Sequence, residues 1–318
     1  MEKKYNISVL IPFLNEQEGL ANLLHELETF FGHNSHFDTE VVMINDGSTD
    51  NSLGILSEYN PSNFELKIIN LSKNYGSHAA LRAGIAVAKG DFITFVYADL
   101  QDPLELIRAF IAEIEQKRLD IVWGTRRATG TSGFEKLFSR FYASLMQTFV
   151  SPMFPANGFD VVMFNRKIAN VLNAHVEANS SLFLQILTLG FKQGFIEYDK
   201  RERRTGKSKW TLSKKIKLVI DSFLAFSYAP IRFVSFMGIA FSLVGLLWTL
   251  YIIGRKILLD DLITGWPMLA SILLMGFGIT NVGLGVIAEY LWRTLDASRR
   301  RPVYIVDNVI DAARSKAN

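Results

Sequence analysis

Two stretches limit what this chain can fold into. Phe233–Gly254 and Pro267–Ala288 each run for 22 residues without a charged side chain. A helix needs about 20 apolar residues to cross a bilayer core. Trp248, Tyr251, Trp266, Tyr290 and Trp292 lie in or beside these runs, where amphipathic rings suit a membrane interface. Two buried helices of a soluble domain are the other reading, but soluble cores rarely need two such runs joined by a short charged hairpin. The mean hydropathy of +0.18 agrees with a chain that partly meets lipid.

Charge then sets an expected orientation. Arg201, Arg203, Arg204, Lys207, Lys209, Lys214, Lys215, Lys217 and Arg232 precede the first run; Arg293, Arg299, Arg300 and Arg301 follow the second. The hairpin between them has Arg255 and Lys256 against Asp260 and Asp261. The positive-inside bias therefore expects both flanks in the cytoplasm. Gly276, Gly278, Gly283 and Gly285 read as a helix-packing face, and Asn281 as an interhelical hydrogen bond. Ile7–Pro12 is too short for a signal peptide and is followed by Asn15, Glu16 and Glu18, so export of the N-terminal domain is not expected.

Composition narrows the remainder. The 318 residues suggest two units. Hydrophobic residues at 49% exclude a disordered chain. Thirty-four basic against 31 acidic residues, net +3, are too balanced for a nucleic-acid binder. Cysteine is absent, which excludes disulfides and thiolate metal sites and fits a reducing compartment.

The first two hundred residues alternate between the periods of strand and helix. Ile7–Pro12 is a short apolar run of buried-strand type. Leu20, Leu23, Leu24, Leu27 and Phe31 recur at helical spacing. Further strands are expected at Glu40–Ile44, Lys67–Leu71, Phe92–Val96 and Ile121–Gly124. Helices are expected at Ser77–Ala88 and Pro103–Gln116, the latter with proline at its start. Such alternation implies a mainly parallel sheet with right-handed crossovers. Ligands of such sheets sit beyond the carboxyl ends of the strands. The polar clusters Asn15-Glu16, Asp46, Lys73-Asn74 and Asp99-Leu100-Gln101-Asp102 fall there.

No P-loop and no Gly-x-Gly-x-x-Gly after a strand is present. A phosphate-bearing ligand needs another holder. Asp99 with Gln101 and Asp102 offers hard oxygen ligands for Mg²⁺ or Mn²⁺ bridging to substrate phosphates; equally, Asp99 could cap a helix ahead of Pro103.

Taken in order, the motifs resemble family 2 glycosyltransferases of GT-A fold, and among them the polyprenyl-phosphate glycosyltransferases: dolichyl-phosphate mannose synthases, O-antigen glucosyltransferases and aminoarabinose transferases. The resemblance rests on Ser8-Val9-Leu10-Ile11-Pro12 with Asn15-Glu16, Asn45-Asp46-Gly47-Ser48-Thr49-Asp50, and Leu71-Ser72-Lys73-Asn74-Tyr75-Gly76. It continues through Ala98-Asp99-Leu100-Gln101-Asp102-Pro103, Arg203-Arg204-Thr205-Gly206-Lys207-Ser208-Lys209-Trp210, Gly285-Val286-Ile287-Ala288-Glu289-Tyr290 and Arg301-Pro302-Val303-Tyr304. It covers nearly the whole chain.

The resemblance implies roles by position. Pro12, Asn15, Glu16, Asp46, Lys73 and Gln101 would bind the donor, with Asp46 reading the base. Asp99, with Gln101 close by, would hold Mg²⁺ or Mn²⁺ on the diphosphate. The family often has aspartate two positions before the metal aspartate; Tyr97 stands there. Asp160 aligns with the carboxylate that faces the anomeric carbon, although its neighbours depart from the commoner pattern and a strand-edge residue is the alternative. Arg203, Arg204, Lys207 and Lys209 would hold the acceptor phosphate, for which forked guanidinium groups are suited; positive-inside topology and attraction to anionic lipid also account for them.

Lys214, Lys215 and Lys217 ahead of Leu218, Val219, Ile220, Phe223, Leu224 and Phe226 read as an amphipathic interfacial helix. Gly130–Val150 is either a second such element or a core-packing helix.

The expected architecture is an α/β GT-A domain, Rossmann-like with a mixed, mainly parallel sheet, over 1–210. An amphipathic juxtamembrane helix follows over 211–230, then a two-helix transmembrane hairpin over 231–292 and a cytoplasmic tail over 293–318. The expected activity is inverting transfer of one sugar from a nucleotide sugar, a UDP-sugar ahead of a GDP-sugar, to polyprenyl phosphate. The expected setting is the cytoplasmic face of a bacterial inner membrane, in a homo-oligomer with membrane lipid and without nucleic acid. A processive polysaccharide synthase is disfavoured by having only two runs and no Gln-x-x-Arg-Trp motif. A non-catalytic scaffold that keeps the fold is the remaining alternative, to which Tyr97 lends weight.

Overall fold

The computed structural model describes residues 3–127, 133–156, 158–176, 181–200, 229–259, 265–299 and 301–311, some helical ones by backbone alone. The chain divides into two compact units, one of residues 1–214 with 302–318 and the other of residues 215–301.

The first unit is built on an eight-stranded sheet. Its strands are β1 (Tyr5–Phe13), β2 (Phe37–Asn45), β3 (Glu65–Leu71), β4 (Phe92–Phe95), β5 (Ile121–Arg126), β6 (Phe159–Asn165), β7 (Gln193–Tyr198) and β8 (Val306–Asp311). Their spatial order is β7-β5-β6-β4-β1-β2-β3-β8. The pairs β4-β1, β1-β2, β2-β3 and β5-β7 are parallel. β6 runs antiparallel to both β4 and β5, and β8 runs antiparallel to β3. This is the mixed α/β sheet expected. All five strands expected from apolar runs are present; four are extended by up to three residues at an end, and β4 stops one residue short at Phe95.

The helices are α1 (Leu20–His33), α2 (Ser52–Glu58), α3 (Ser77–Val87), α4 (Leu106–Lys117), α5 (Gly133–Phe149), α6 (Arg166–Ala174) and α7 (Leu182–Thr188). Alternation along the strands sends odd and even side chains to opposite faces. Ile7, Val9 and Ile11 pack in one buried cluster with Leu23 and Leu27 of α1 and with Ile107 and Phe110 of α4. On the other face α3 lies so close that a methyl group at Gly84 would meet Leu10 and Ile44 at 3.0–3.1 Å. Phe183 of α7 meets the rings of Phe95 and Trp123 there. Helices on both faces explain why β1 is apolar almost throughout. In α5 the described side chains of Ala143 and Met146 are buried and Phe149 is exposed.

α4 begins at Leu106, later than the proline signal suggested, and Glu105 occupies its N-cap. Neither Asp99 nor Asp102 caps it. The segment after the second apolar run, expected as a separate tail, returns to the sheet as β8.

In the second unit, α8 spans Ala229–Leu259 and α9 spans Trp266–Arg299, 31 and 34 residues. Phe233, Leu247, Phe277 and Leu291 are each about two-thirds exposed. A methyl group at Gly283 would meet Val234 at 2.9 Å, so at this glycine the two helices approach closely. Among the described residues, which omit several side chains of each helix, no helix is long and apolar enough to cross a membrane. Of the interfacial segment expected over 211–230, residues 211–228 lie outside the described residues and the last two begin α8.

At the amino end of the sheet, buried Glu40 on β2 accepts from the Ser8 hydroxyl at 2.5 Å and from the amides of Lys89 and Gly90, and lies 3.8 Å from Lys67 Nζ. One carboxylate thus ties β1, β2, β3 and the turn into β4. Removing one partner of a buried ion pair costs about 3–5 kcal/mol, because the other charge is left unpaired. Glu40→Leu should therefore lower the melting temperature of the first unit markedly. A variant that melts with the wild type would show that the carboxylate contributes nothing.

Candidate active site

Four segments meet at the carboxyl ends of β1 to β4. Pro12 and Phe13 end β1 and Leu14 and Glu16 follow it, Asp46 follows β2, and Asn74 and Gly76 connect β3 to Ser77 at the start of α3. Tyr97, Ala98 and Asp99 follow β4. Together they line a cleft of about 260 Å³. The switch point of a doubly wound sheet opens such a crevice because neighbouring connections leave in opposite directions.

Asp46 organises the cleft. Its Oδ1 accepts from the Tyr75 amide at 2.7 Å and its Oδ2 from the Gly76 amide at 2.9 Å. Burial pushes its carboxyl above the ordinary value, and the two amides oppose that shift. Gly47 follows with φ of 75°, and a Cβ there would lie 2.6 Å from the Asn74 nitrogen. Only glycine allows both the left-handed backbone and this approach.

The expected donor and metal residues separate into two groups. Pro12, Glu16, Asp46 and Asp99 line the cleft. Asn15, Lys73 and Gln101 do not. Asn15 has φ of 53°. Its amide donates to Ser48 Oγ and its side-chain oxygen accepts from the Thr49 amide, so it ties the β1 loop to the β2 loop. Lys73 is exposed, with its ammonium 5.0 Å from the Tyr75 ring centroid. The Gln101 amide donates to Asp99 Oδ1 at 3.3 Å, closing a short Asx-type turn.

Asp99 brings one hard carboxylate to the cleft. Mg²⁺ is commonly held by one or two carboxylates together with substrate phosphates, and this donor set fits that mode. Among the described residues no group of three or more acidic or histidine side chains could cage a metal by itself.

Beside the cleft lies a charged network on strand ends. Arg126 closes β5, Asp160 opens β6, and Tyr198 closes β7 ahead of Lys200. Arg126 forks Asp160 through Nε and Nη2. Lys200 Nζ lies 3.2 Å from Asp160 Oδ2 and 3.6 Å from Asp102 Oδ1. The Tyr198 hydroxyl donates to Asp102 and lies 3.4 Å from Asp160. Asp102 Oδ2 is buried without a partner.

Burial raises the Asp160 carboxyl, but the hydrogen bonds and charge of Arg126, then Lys200, outweigh it and hold the group below the carboxylate range. Asp102 goes the other way. Burial raises it, Lys200 and Tyr198 oppose, and the negative neighbours Asp160 and Asp99 add to the rise. Tyr97 lines the cleft within the field of Asp160, Asp102 and Asp99; burial first, then these carboxylates, push its hydroxyl upward.

Sequence reading missed Arg126, Tyr198 and Lys200. The available signal was position: Arg126 ends an apolar strand, as do the clusters that were noticed. Arg203, Arg204, Lys207 and Lys209 lie outside the described residues.

A mixed sheet with a polar cleft at its switch point is the framework of a nucleotide-sugar transferase of GT-A type. The chain belongs to glycosyl transferase family 2, whose model matches residues 8–184. Over 96% of its length it is 32% identical to 94% of the uncharacterized glycosyltransferase YkcC of Bacillus subtilis (strain 168). It is 29% identical to the prophage bactoprenol glucosyl transferase homolog of Escherichia coli (strain K12), covering 95% of this chain and 99% of that one. It is 30% identical to the undecaprenyl-phosphate 4-deoxy-4-formamido-L-arabinose transferase of Proteus mirabilis (strain HI4320), covering 100% and 98%.

The Asp160 pair predicts an acid sensitivity. Because its folded pKa is depressed, its stabilisation is present above the unfolded carboxylate value, about 3.9, and is lost as pH falls through the folded one. Arg126→Met removes the largest depressing influence, so the variant should be less stable than the wild type near neutral pH, and the difference should shrink as pH falls through the folded value. Superimposable unfolding curves by circular dichroism near neutral pH would remove the pair from the stability account.

Proposed function

We propose that the chain transfers one sugar from a nucleotide sugar to a polyprenyl phosphate at the cytoplasmic face of a membrane, with inversion at the anomeric carbon. The observation that carries this reading is the cleft beyond β1 to β4, with Asp46 and Asp99 in its lining and the Asp160 network beside it. The names of the bactoprenol and undecaprenyl-phosphate relatives support the acceptor class.

The Asp46-held loop shapes the donor end of the cleft. Asp99 would hold Mg²⁺ or Mn²⁺ together with the donor's phosphates; the ion supplies charge stabilisation for the departing diphosphate. An acceptor phosphate oxygen forms the new bond to the anomeric carbon. The bond from that carbon to the diphosphate oxygen breaks, and its electron pair leaves with the nucleoside diphosphate. A phosphate monoester has its second pKa near about 6 and is mostly dianionic at neutral pH, so little basicity is needed. Asp160, held ionised by Arg126 and Lys200, suits orientation of the sugar and stabilisation of positive charge at the anomeric carbon. Both oxygens already accept from cations, which makes it a weak proton acceptor. Arg203, Arg204, Lys207 and Lys209 supply positive charge for the acceptor phosphate.

Attachment to the membrane is supported by the two charge-free runs and by the exposed apolar side chains of α8 and α9. The pairing of β8 with β3 supports an even number of crossings. The segment after the second run belongs to the same sheet as the N-terminal strands, which supports placing both flanks of the hairpin on one side.

Purified full-length protein given polyprenyl phosphate, a panel of nucleotide sugars and Mn²⁺ should yield lipid heavier by one sugar, read by mass spectrometry. Asp99→Ala should reduce turnover by about 10²–10³-fold, the scale for losing a preorganised electrostatic contact. Undiminished transfer in chelator would overturn the metal assignment, and a polymer would overturn single transfer. Asp160→Asn should lower turnover by a similar factor at every pH from 5.5 to 8; a deficit that vanishes above about pH 6, where the acceptor ionises, would return Asp160 to the role of base.

Tags at the two ends of the full-length chain should be accessible from the same side of sealed vesicles. Tags on opposite sides would overturn the hairpin.

A further inference from the structure

We infer that the C-terminal strand β8 is a positioning element of the donor cleft, acting through the β3–α3 loop. The inference rests on the reading of that cleft as the donor site. β8 does more than cover the edge of the sheet. Its register on β3 runs from Lys67↔Asp311 to Leu71↔Val306, with a shift between Asn70 and Leu71. Beyond β3 the Ser72 amide donates to the Ile305 carbonyl at 3.0 Å. Ser72 opens the loop whose Asn74 and Gly76 line the cleft. The loop is thus held at its far end by Asp46 and at its near end by the segment leading into β8.

A line of side-chain hydrogen bonds crosses the strand ends in the same direction. The Asn70 amide group donates to Asp307 Oδ2 at 3.3 Å, and Asn70 Oδ1 accepts from the Asn45 amide group at 2.7 Å. Asn45 Oδ1 accepts from the Ser48 amide at 2.9 Å, and Ser48 Oγ accepts from the Asn15 amide at 2.9 Å. The path therefore runs from β8 through the ends of β3 and β2 to the loop after β1, whose Leu14 and Glu16 line the cleft. Each member uses one polar group on either neighbour, so a change at Asp307 is passed on as a change in amide orientation. In the segment leading into β8, Tyr304 lies within the field of Arg82 on α3, the helix whose first residue, Ser77, also lines the cleft.

The test uses the full-length protein, with UDP and Mn²⁺ as the probe and amide hydrogen exchange of residues 71–77 as a second readout. Asp307→Ala should weaken UDP binding about two- to tenfold, the range for one hydrogen bond. It should raise the donor KM with kcat nearly unchanged, and speed exchange at Ser72 and Tyr75. Asp307→Asn keeps an acceptor for Asn70 and should behave as wild type. Ile310→Asp loosens β8 through the side chain that packs against the core, leaves Asp307 in place, and should give the same two changes. Wild-type UDP affinity in both Asp307→Ala and Ile310→Asp would overturn the inference, whether or not exchange quickens; faster exchange alone would reduce β8 to an edge cover. If the wild-type protein binds no nucleoside diphosphate, the donor reading fails, and the exchange data still decide whether β8 holds the loop.

Discussion

The carboxylate of Asp46, shared between two backbone amides of a neighbouring connection, is the contact on which the cleft depends. A parallel sheet sends its strand ends out as independent loops, each with its own unpaired backbone groups. Buried amides cost free energy unless they find acceptors. Asp46 accepts from Tyr75 and Gly76, and Gly47 lets the two connections approach within van der Waals distance. Desolvation acts against the ionised form of Asp46. The same residue shapes one wall of the cleft and presents charge to it.

Across the sheet a different principle operates. Arg126, Asp160, Lys200 and Asp102 are two cations and two anions drawn from strand ends far apart in sequence. A buried ion pair is weak evidence for stability, because desolvation offsets much of the attraction. Its consequence here is polarisation of two carboxylates in opposite senses: Asp160 is held ionised, while Asp102 carries a raised pKa and an unpartnered oxygen. Adjacent acids with opposed shifts often divide labour at active sites.

What could be read from the sequence follows from what local pattern records. β1 to β5 were visible because both faces of the parallel sheet are covered, which leaves continuous apolar runs. α1 was visible because Leu20, Leu23, Leu24, Leu27 and Phe31 all face the core. β7 is only half-buried and β8 is largely exposed, so neither carries a periodic signal. Pro12, Glu16, Asp46 and Asp99 could be placed because each lies in a motif of the family resemblance at or just beyond the end of an apolar run. Arg126 and Lys200 could not, because their meaning lies in a shared partner, Asp160, supplied by an antiparallel strand. Asn15 and Gln101 illustrate the reverse limit. A motif marks a position, whereas only the fold decides whether its side chain faces a ligand or ties down a loop.

The return of β8 also bears on how the molecule is made. Asn70 and Asp307, which meet across the β3–β8 edge, are 237 residues apart in the chain. Domains generally begin to fold from the N-terminal end during synthesis. Strands β1 to β7 therefore emerge while β3 is still an open edge, a surface that invites pairing with other chains. That edge stays open through translation of the whole helical hairpin and closes only once the residues beyond α9 have left the ribosome. Any delay in completing the hairpin thus prolongs the interval in which the nascent sheet can pair wrongly, which links synthesis of the helical unit to the solubility of the sheet.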